Sequence, residues 1–469
     1  MLLLGTVVLM FQRGGSQQDD ILRADAFAFA TLGVLAVLAP WPLVRGRWAV
    51  AALSALTGLT VWTAVSTAWA RIEIHAVDDA ARLALYAAAF AAALIAMRAP
   101  EVRRAAPWAL LVGIAAASVY GLGTRLLPDV CPAEVFGNAG ARLAHPITYW
   151  NGLGLVTGCG ALLGIACAAE PSARRRLRAP ACALAVPCGF ACYMSLSRGA
   201  FVAVIAGLLV LAAVRPRAAT ALAAMCALVP VGALAIALQG LDKVRAAPAE
   251  PHAVQTGQGV LAALLVVAGA AAAALAFAGL AKRADAMREL RLRPRAAAIV
   301  AIGGVAVILA GTVAISYASE QTVNVATSAS RLAQTKTFRG PYWDVALRAF
   351  AHHPLTGVGS GSFQVEWRRE TRTGRATFDA HSLYFETLAE LGIVGGLLVV
   401  AFIASLAAGI ATALRAAPRD PVLPAAAAVV AACIVHAGVD WDWELPGVTL
   451  PVLLLAAAAL ARPEPTPSR

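Results

Sequence analysis

The sequence predicts an all-α polytopic membrane protein with about 12 to 14 transmembrane helices and one large helical loop on the outer face of the membrane. Hydrophobic residues make up 60% of its 469 residues and charged residues only 14%, whereas soluble proteins carry about 25% charged residues. The mean hydropathy is +0.74. A helix needs about 20 mostly apolar residues to cross the hydrocarbon core, and fourteen apolar runs approach or reach this length. Most of the chain is therefore predicted to lie in lipid.

The fourteen apolar runs define the predicted spans. The first run is short, and it lacks both the basic flank and the small-residue cleavage site of a signal peptide, so we interpret it as a shortened span. The other runs are separated by loops that contain charged residues, glycine or proline. In chain order the predicted spans cover residues 1–11, 24–41, 48–67, 79–97, 107–121, 147–169, 180–194, 199–214, 220–238, 259–280, 296–316, 390–414, 422–437 and 448–460.

The basic residues predict the topology of these spans. Lys and Arg outnumber Asp and Glu by 38 to 26, which gives a formal net charge of +12. Because short cytoplasmic loops of membrane proteins are rich in Arg and Lys, we assign the excess to such loops and not to a nucleic-acid partner. The basic loops are separated by even numbers of predicted spans, so they share one side, which we interpret as cytoplasmic. These loops hold Arg45 and Arg47, then Arg98, Arg103 and Arg104, then Arg174, Arg175, Arg176 and Arg178, then Arg215 and Arg217, then Lys282 to Arg295, then Arg415 and Arg419, and finally Arg462.

One long segment is predicted on the opposite, outer face. We divide the chain into N-terminal transmembrane helices at 1–315, a large extracytoplasmic loop at 316–388 and C-terminal transmembrane helices at 389–469. Seven of the eight cysteines lie in apolar runs, and the sequence shows neither a disulfide framework nor a metal ligand set. The polar residues of the large loop are therefore the first place to look for chemistry.

The large loop is predicted to contain two helices separated by a glycine-rich turn. The first covers 342–352, and glycine and proline residues at 354–361 then indicate the turn. These glycines superficially resemble a nucleotide-binding loop, but no strand precedes them, so we reject that interpretation. A second helix begins near Asp379 or Ser382 and is expected to continue into the next span. The predicted apolar face of the first helix consists of Trp343, Ala346, Leu347 and Phe350.

Two polar groups interrupt apolar sequence on the predicted outer face. Arg142 precedes a span with Tyr149 and Asn151, and Arg198 follows two serines between two short spans. A charged residue in apolar surroundings is costly and usually functional. Because the planar guanidinium group suits recognition of phosphate, these groups predict an anionic ligand. The alternative is that both arginines are anchors whose charged ends reach the membrane interface.

The large loop contributes a third polar group, in which Arg339, Arg348 and His381 are the main candidates. The two arginines would bind the same anion. The imidazole of His381 could act as a general base, since its unperturbed pKa lies near physiological pH. The alternative is that His381 is only an N-terminal residue of the second helix.

A further polar group lies near the C-terminus, where His436, Asp440 and Asp442 surround Trp441 and Trp443. The tryptophans are typical of the aromatic belt at a membrane interface. The two acids could bind a cation or pair with an arginine of the same chain, and we expect the pairing.

Several of these motifs resemble the O-antigen ligase and polymerase superfamily. Ser197-Arg198-Gly199-Ala200 is similar to the family's SRGA segment, and Arg142 with Asn151 is similar to its outer R…N segment. Ser382 stands where the family more often has Asn. The large loop supplies, in the family's order, a helix with Trp343, Arg348 and Phe350, the turn PLTGVG at 354–359, the segment HSLY at 381–384 and ELG at 390–392.

The resemblance implies a lipid-dependent glycosyltransferase fold of the GT-C-like type and an activity at the outer face of the bacterial cytoplasmic membrane. Members transfer a glycan from an undecaprenyl-diphosphate carrier to an acceptor hydroxyl without a metal, a nucleotide sugar or another cofactor. Here Arg142, Arg198 and either Arg339 or Arg348 would stabilise the departing diphosphate, and His381 would orient or deprotonate the acceptor. Tyr149, Asn151 and Tyr384 complete the predicted substrate-binding set.

Two other classes of function fit parts of the sequence. A transporter or a lipid-linked glycan flippase also has many spans and buried charges. Such proteins often show internal repeats and bind their substrate near mid-membrane, whereas here the charges gather at one face. A structural scaffold would not need arginines at three separate outer positions. Within the enzyme class, polymerase and ligase rank equally, and the acceptor is a carrier-linked repeat, a lipid core, a wall polymer or a protein.

Overall fold

The computed structural model describes residues 2–134, 139–246, 253–287, 339–371 and 377–461. Of this part of the chain 79% is helical and none is strand. Nine of its helices are long and apolar enough to cross a membrane, and four more apolar helices are shorter. These helices correspond to thirteen of the fourteen predicted spans. The predicted all-α polytopic membrane fold is confirmed.

Most helices before the large loop follow one another with short connections, and the connection between α5 and α6, residues 127–149, is longer. The predicted span 296–316 and the first part of the loop, 316–338, lie outside the described residues. The helices are α1 (Leu2–Phe11), α2 (Gln18–Leu38), α3 (Arg47–Ser66), α4 (Glu73–Ala96), α5 (Pro100–Leu126), α6 (Trp150–Ala169), α7 (Arg175–Met194), α8 (Arg198–Val214), α9 (Ala218–Ala237), the single turn α10 (Asp242–Arg245) and α11 (Ala253–Ala286).

The remaining helices form the described part of the large loop and the C-terminal spans. The long helix α14 starts inside the predicted loop and continues into the membrane, as expected from the sequence. These helices are α12 (Arg339–His352), α13 (Phe363–Glu370), α14 (Leu383–Ala416), α15 (Leu423–Ala437) and α16 (Pro446–Leu460), with a short 3-10 helix at Asp442–Glu444 before the last of them.

Helix α6 lies at the centre of the bundle. Its most apolar stretch is 94% buried, and it packs against α5, α7, α8, α9 and α15. Glycines make this possible, since small residues let neighbouring helices approach closely in a membrane. A Cβ at Gly160 would lie 2.5 Å from the side chain of Ile114, and one at Gly164 would lie 2.7 Å from the carbonyl oxygen of Ala181. The centre of the fold is thus set by small residues.

The basic loops meet at one end of the bundle. Arg98 donates to the carbonyl of Pro40 at 3.0 Å. Arg103 pairs with Asp420 at 2.7 Å, and Arg215 donates to the carbonyl of the same aspartate at 2.8 Å. These contacts join the connections after α2, α4, α8 and α14. This arrangement agrees with the even spacing of basic loops in the sequence, and we refer to it as the basic end.

Helices α12 and α13 cover the opposite end and pack on α14. The predicted first loop helix is present. Its predicted apolar face is wrong, since Ala346 is the one buried residue of that face and Leu347 is 43% exposed. The ring of Tyr342 packs edge-on against Trp367 of α13, with ring centroids 4.7 Å apart. The packing partner therefore selects the buried face, which consists of Tyr342, Val345, Ala346 and Ala349.

The glycine-rich turn is clamped onto a break in α14. Gly357 has a φ of +67° and Gly392 a φ of +64°, a left-handed region that favours glycine. The N–H of Gly359 donates to the carbonyl of Glu390 at 2.8 Å. The carboxylate of Glu390 in turn accepts the N–H groups of Gly361 at 2.9 Å and Phe363 at 2.8 Å. The turn therefore serves to attach α13 to α14, in agreement with the rejection of a nucleotide loop.

Candidate functional site

A polar cluster lies at the end of the bundle opposite the basic loops. It is built around the carboxylate of Asp440, which is fully buried in the connection between α15 and α16. Two helices begin beside it, α6 just after Tyr149 and α8 at Arg198. The first turns of these helices carry unpaired N–H groups and a partial positive charge. Sequence and backbone therefore both supply positive potential to this end of the molecule.

Asp440 receives four hydrogen bonds. Arg339 pairs with it at 2.5 Å, the hydroxyl of Tyr149 donates to it at 2.5 Å, and the amide of Asn151 donates to it at 2.7 Å. The backbone N–H of Trp441 adds a bond at 3.0 Å. Burial together with the adjacent carboxylate raises the pKa of Tyr149 well above its usual range, so its phenol remains a donor. Asp440 thus fixes three of the predicted site residues.

Arg198 lies close enough to Arg339 for the two guanidinium groups to repel each other. It is the first residue of α8, whose N-cap Ser197 accepts the N–H of Ala200 at 3.2 Å. Such a cap satisfies one of the free donors at the start of the helix. The serines of the predicted SRGA segment therefore fix the start of α8 and with it the position of Arg198.

His381 adjoins the same cluster. Its backbone adopts a φ of +55°, which is uncommon for a residue other than glycine and typical of strained functional positions. Its ring lies 5.3 Å from that of Tyr342, and it interacts electrostatically with Arg339 and Asp440. Burial lowers the pKa of His381. The imidazole is therefore held neutral near physiological pH, the form that accepts a proton.

Arg142 lies next to the cluster. Its guanidinium group stacks on the ring of Trp150, 3.6 Å from the ring centroid, and its Nε donates to the carbonyl of Ala139 at 2.8 Å. The ring of Trp150 is in turn 5.3 Å from that of Tyr149. One aromatic ring thus separates this predicted site arginine from the residues that contact Asp440.

Two other predicted site residues lie elsewhere. Arg348 pairs with Glu370 of α13, and its side chain is 53% exposed. The hydroxyl of Tyr384 donates to the carbonyl of Ile434 at 2.6 Å, which ties α14 to α15. A role of either residue in substrate binding stays a prediction, since the structure does not bring them to the cluster around Asp440.

A histidine-aspartate pair completes the surroundings of the cluster. Nδ1 of His436 is 3.0 Å from the carboxylate of Asp442, and its Nε2 has no hydrogen-bond partner among the described residues. A Cβ added to Gly199 would lie 3.0 Å from that Nε2, so the ring faces the start of α8. Neither this pair nor Asp440 was predicted as part of the site. The signal was present in the sequence as two acids in a short outer connection, where we expected pairing with an arginine.

The fold and the cluster define a polytopic helical membrane protein with an arginine-containing polar site at one end of its bundle. Residues 255–400 match the family model described as O-Antigen ligase. The match supports the predicted resemblance to the O-antigen ligase and polymerase superfamily over this part of the chain. A search among curated proteins finds no match.

The matched residues supply only part of the cluster. Arg339 and His381 lie within 255–400. Tyr149, Asn151 and Asp440 lie outside it, yet each belongs to the hydrogen-bond network of Arg339. The site is therefore assembled from three widely separated parts of the chain.

Proposed function

We propose that the protein is a membrane glycosyltransferase of the O-antigen ligase and polymerase type. It would transfer a glycan from an undecaprenyl-diphosphate carrier to an acceptor hydroxyl. The family match over 255–400 supports an enzyme of this kind. The cluster around Asp440 is the part of the described structure whose chemistry suits the reaction.

The observation that carries the proposal is that Arg198 lies within electrostatic reach of Arg339, which pairs with the buried Asp440 at 2.5 Å. Two guanidinium groups thus lie near one another in a partly buried site. Like charges in a partly buried site are costly, and an anion between them removes that cost. A diphosphate is a suitable anion, because guanidinium groups bind phosphate oxygens with two parallel hydrogen bonds.

The reaction then needs few protein groups. The acceptor oxygen attacks the anomeric carbon of the glycan as the bond from that carbon to the diphosphate oxygen breaks. His381 accepts the proton of the acceptor hydroxyl, as a positioned general base. Arg198 and Arg339 stabilise the negative charge that develops on the departing diphosphate, the effect that usually contributes most to catalysis.

We assign the site to the outer face of the cytoplasmic membrane. The cluster lies at the end of the bundle opposite the loops tied together by Arg98, Arg103 and Arg215. Basic loops are typical of the cytoplasmic side, which supports an outward-facing site.

The proposal is tested by transfer of a labelled glycan from its polyprenyl-diphosphate carrier with purified protein in detergent. Arg198→Ala removes one guanidinium group, and His381→Asn removes the imidazole but keeps a residue that tolerates a left-handed backbone. We expect each variant to reduce the transfer rate by at least about 100-fold, the range typical of a lost general base or charge stabiliser. Arg13→Ala is the matched control, since this arginine is 56% exposed in an ion pair with Glu134.

Three results would overturn the proposal. In the first, both site variants transfer glycan at the wild-type rate. In the second, the Arg13→Ala control loses as much transfer activity as the site variants. In the third, the wild-type protein moves lipid-linked glycan saturably across the membrane of liposomes but transfers no glycan to an acceptor. The last result would establish the flippase alternative. Size-exclusion profiles and thermal unfolding of each variant show whether a loss reflects the site or the fold.

A further inference from the structure

A second cluster of titratable groups lies beside the first. Carboxylate oxygens of Asp379, Glu386 and Glu444 all lie within 4.8 Å of one another. The three residues belong to separate elements: the segment before α14, the first turn of α14 and the 3-10 helix before α16. The N–H of Ala380 donates to Glu386 at 2.8 Å, which fixes one of the three. Three acids at this separation are held together either by shared protons or by a positive partner.

Local cations do not balance this cluster. A cavity beside it is lined by Glu386 and Glu444 together with Asp79 and Glu390, and Arg82 is the one basic residue among its described lining. Arg82 already pairs with Asp79 and is 3.6 Å from Glu444. Five carboxylates thus share one guanidinium group.

An unpartnered hydroxyl points to a ligand in the same cavity. Thr63 lines it, is fully buried, and its Oγ1 has no hydrogen-bond partner among the described residues. Its neighbour in α3, Thr60, behaves as expected and donates to the carbonyl of Leu56 at 2.9 Å. A buried hydroxyl without a partner costs about 1–3 kcal/mol. The cavity holds about 60 Å³, whereas one water molecule needs about 10–15 Å³, so an ion with coordinated water fits.

We propose that Asp379, Glu386 and Glu444 bind one divalent cation of the size of Ca²⁺, with Thr63 contacting the ion or its water. Ca²⁺ accepts six to eight oxygen ligands in flexible geometry, whereas Mg²⁺ requires near-ideal octahedral geometry and usually keeps several waters. Three carboxylates that come from three separate elements suit the more flexible ion. The charge of the ion offsets the excess of carboxylates.

The cation would hold two parts of the candidate site together. Asp379 precedes His381 by two positions, and Glu444 follows Asp440 by four positions. Cross-linking these segments to the start of α14 fixes the distance between the imidazole and the Asp440 cluster. The ion is thus assigned a structural role, and its binding does not depend on the proposed transfer reaction.

Terbium luminescence tests the site on the full-length protein in a non-ionic detergent. Tb³⁺ replaces Ca²⁺ at oxygen sites, and Trp441 and Trp443 line the same cavity, so bound Tb³⁺ will emit when the tryptophans are excited. We expect saturable emission that Ca²⁺ displaces more effectively than Mg²⁺. Glu444→Gln and Glu386→Gln each keep the side-chain shape and are expected to weaken binding by at least about tenfold, because ligand charge sets the affinity of such sites.

The control is Glu134→Gln, which removes an exposed carboxylate at the same end of the bundle and should leave binding unchanged. Thr63→Val removes only the hydroxyl and should weaken binding by a smaller factor. The proposal is overturned if wild-type protein gives no emission that Ca²⁺ displaces, or if Glu444→Gln binds as tightly as the control while both elute as folded protein. In that case, protons shared between the carboxyl groups near Arg82 would hold these groups together.

Discussion

At the scale of single residues, Asp440 organises the candidate site. It contacts Arg339 at the start of α12, and Tyr149 and Asn151 at the start of α6. A buried carboxylate with several charge-assisted hydrogen bonds is strongly held. Its negative charge also allows two arginines to lie side by side.

The first prediction concerns removal of that charge. Asp440→Asn keeps the shape of the side chain but leaves Arg339 without its counter-charge, and breaking a buried ion pair typically costs about 3–5 kcal/mol. We expect a loss of about 3 kcal/mol in the free energy of unfolding in detergent, together with loss of glycan transfer. The measurement is thermal or denaturant unfolding beside the transfer assay. The matched control is Asp242→Asn, whose side chain is 62% exposed.

The double variant Arg339→Gln with Asp440→Asn separates stability from activity. Since it removes both charges together, it should regain most of the stability lost in Asp440→Asn, while transfer stays low because one arginine is missing. Recovery of transfer along with stability would contradict a role of Arg339 in binding the anion.

The residues that the sequence could identify were those with a motif or a charge in apolar surroundings, such as Arg198 and His381. For Asp440 the sequence predicted only that this acid pairs with an arginine. It could not predict which arginine, because that depends on the fold. Arg348 belongs to the same motif-bearing helix as Arg339, yet it faces Glu370. Motif membership does not give the direction of a side chain, which depends on the packing of the whole helix.

At the scale of elements, the attachment of the glycine-rich turn to α14 positions His381. The turn bonds to the backbone around Glu390, and the break at Gly392 lets the N–H of Ile393 donate to the carbonyl of Pro354 at 2.8 Å. His381 precedes α14, so the same attachment that holds α13 also sets where α14 begins. The loop and the site are therefore mechanically connected.

The second prediction tests this attachment with two glycines of the loop. A Cβ at Gly357 would lie 2.2 Å from the backbone carbon of Glu390, and its φ of +67° is unfavourable for alanine. Gly357→Ala should destabilise the protein by at least about 2 kcal/mol and impair transfer. Gly340→Ala is the control, because nothing lies within 4 Å of its Cβ in α12, and alanine there should stabilise by up to about 1 kcal/mol. Equal melting temperatures for the two variants would refute the clamp.

Element positions were predictable to within a few residues, whereas buried faces were not. Hydrophobic length reports directly on spans such as α8 and α15, since lipid demands apolar residues all around a helix. In α12 the buried face was wrong because Phe363 and Trp367 of α13 select which side chains are covered. That choice depends on a neighbouring element, so periodicity within one helix could not supply it.

At the scale of the whole molecule, the two ends of the bundle use arginine differently. At the basic end, Arg103 and Arg178 are buried and paired with Asp420 and Asp285, so their charges are neutralised within the protein. At the other end, Arg198 lies within electrostatic reach of Arg339, which pairs with Asp440. The first arrangement holds loops in place, and we propose that the arginines of the second bind an anion.

The third prediction follows from this polarity and decides which side of the membrane the site faces. Cys131 is half-buried in the connection between α5 and α6, at the end that carries the Asp440 cluster, and the other cysteines lie in apolar helices. A membrane-impermeant maleimide should therefore label Cys131 in intact spheroplasts. The comparison is Ala173→Cys in a Cys131→Ser background, which lies in the connection between α6 and α7 at the basic end. It should react only after the membrane is permeabilised.

Labelling of the two positions in the reverse order would have a specific consequence. The hydrogen bonds around Asp440 would stand, and so would the positive potential of the cluster, because both depend on packing alone. The site would then face the cytoplasm, and the arginine-rich loops of the basic end would lie outside, against the usual charge asymmetry of membrane proteins. An outward-facing transferase would be excluded, while an anion site that loads a carrier lipid from the cytoplasmic side would fit the same arginines.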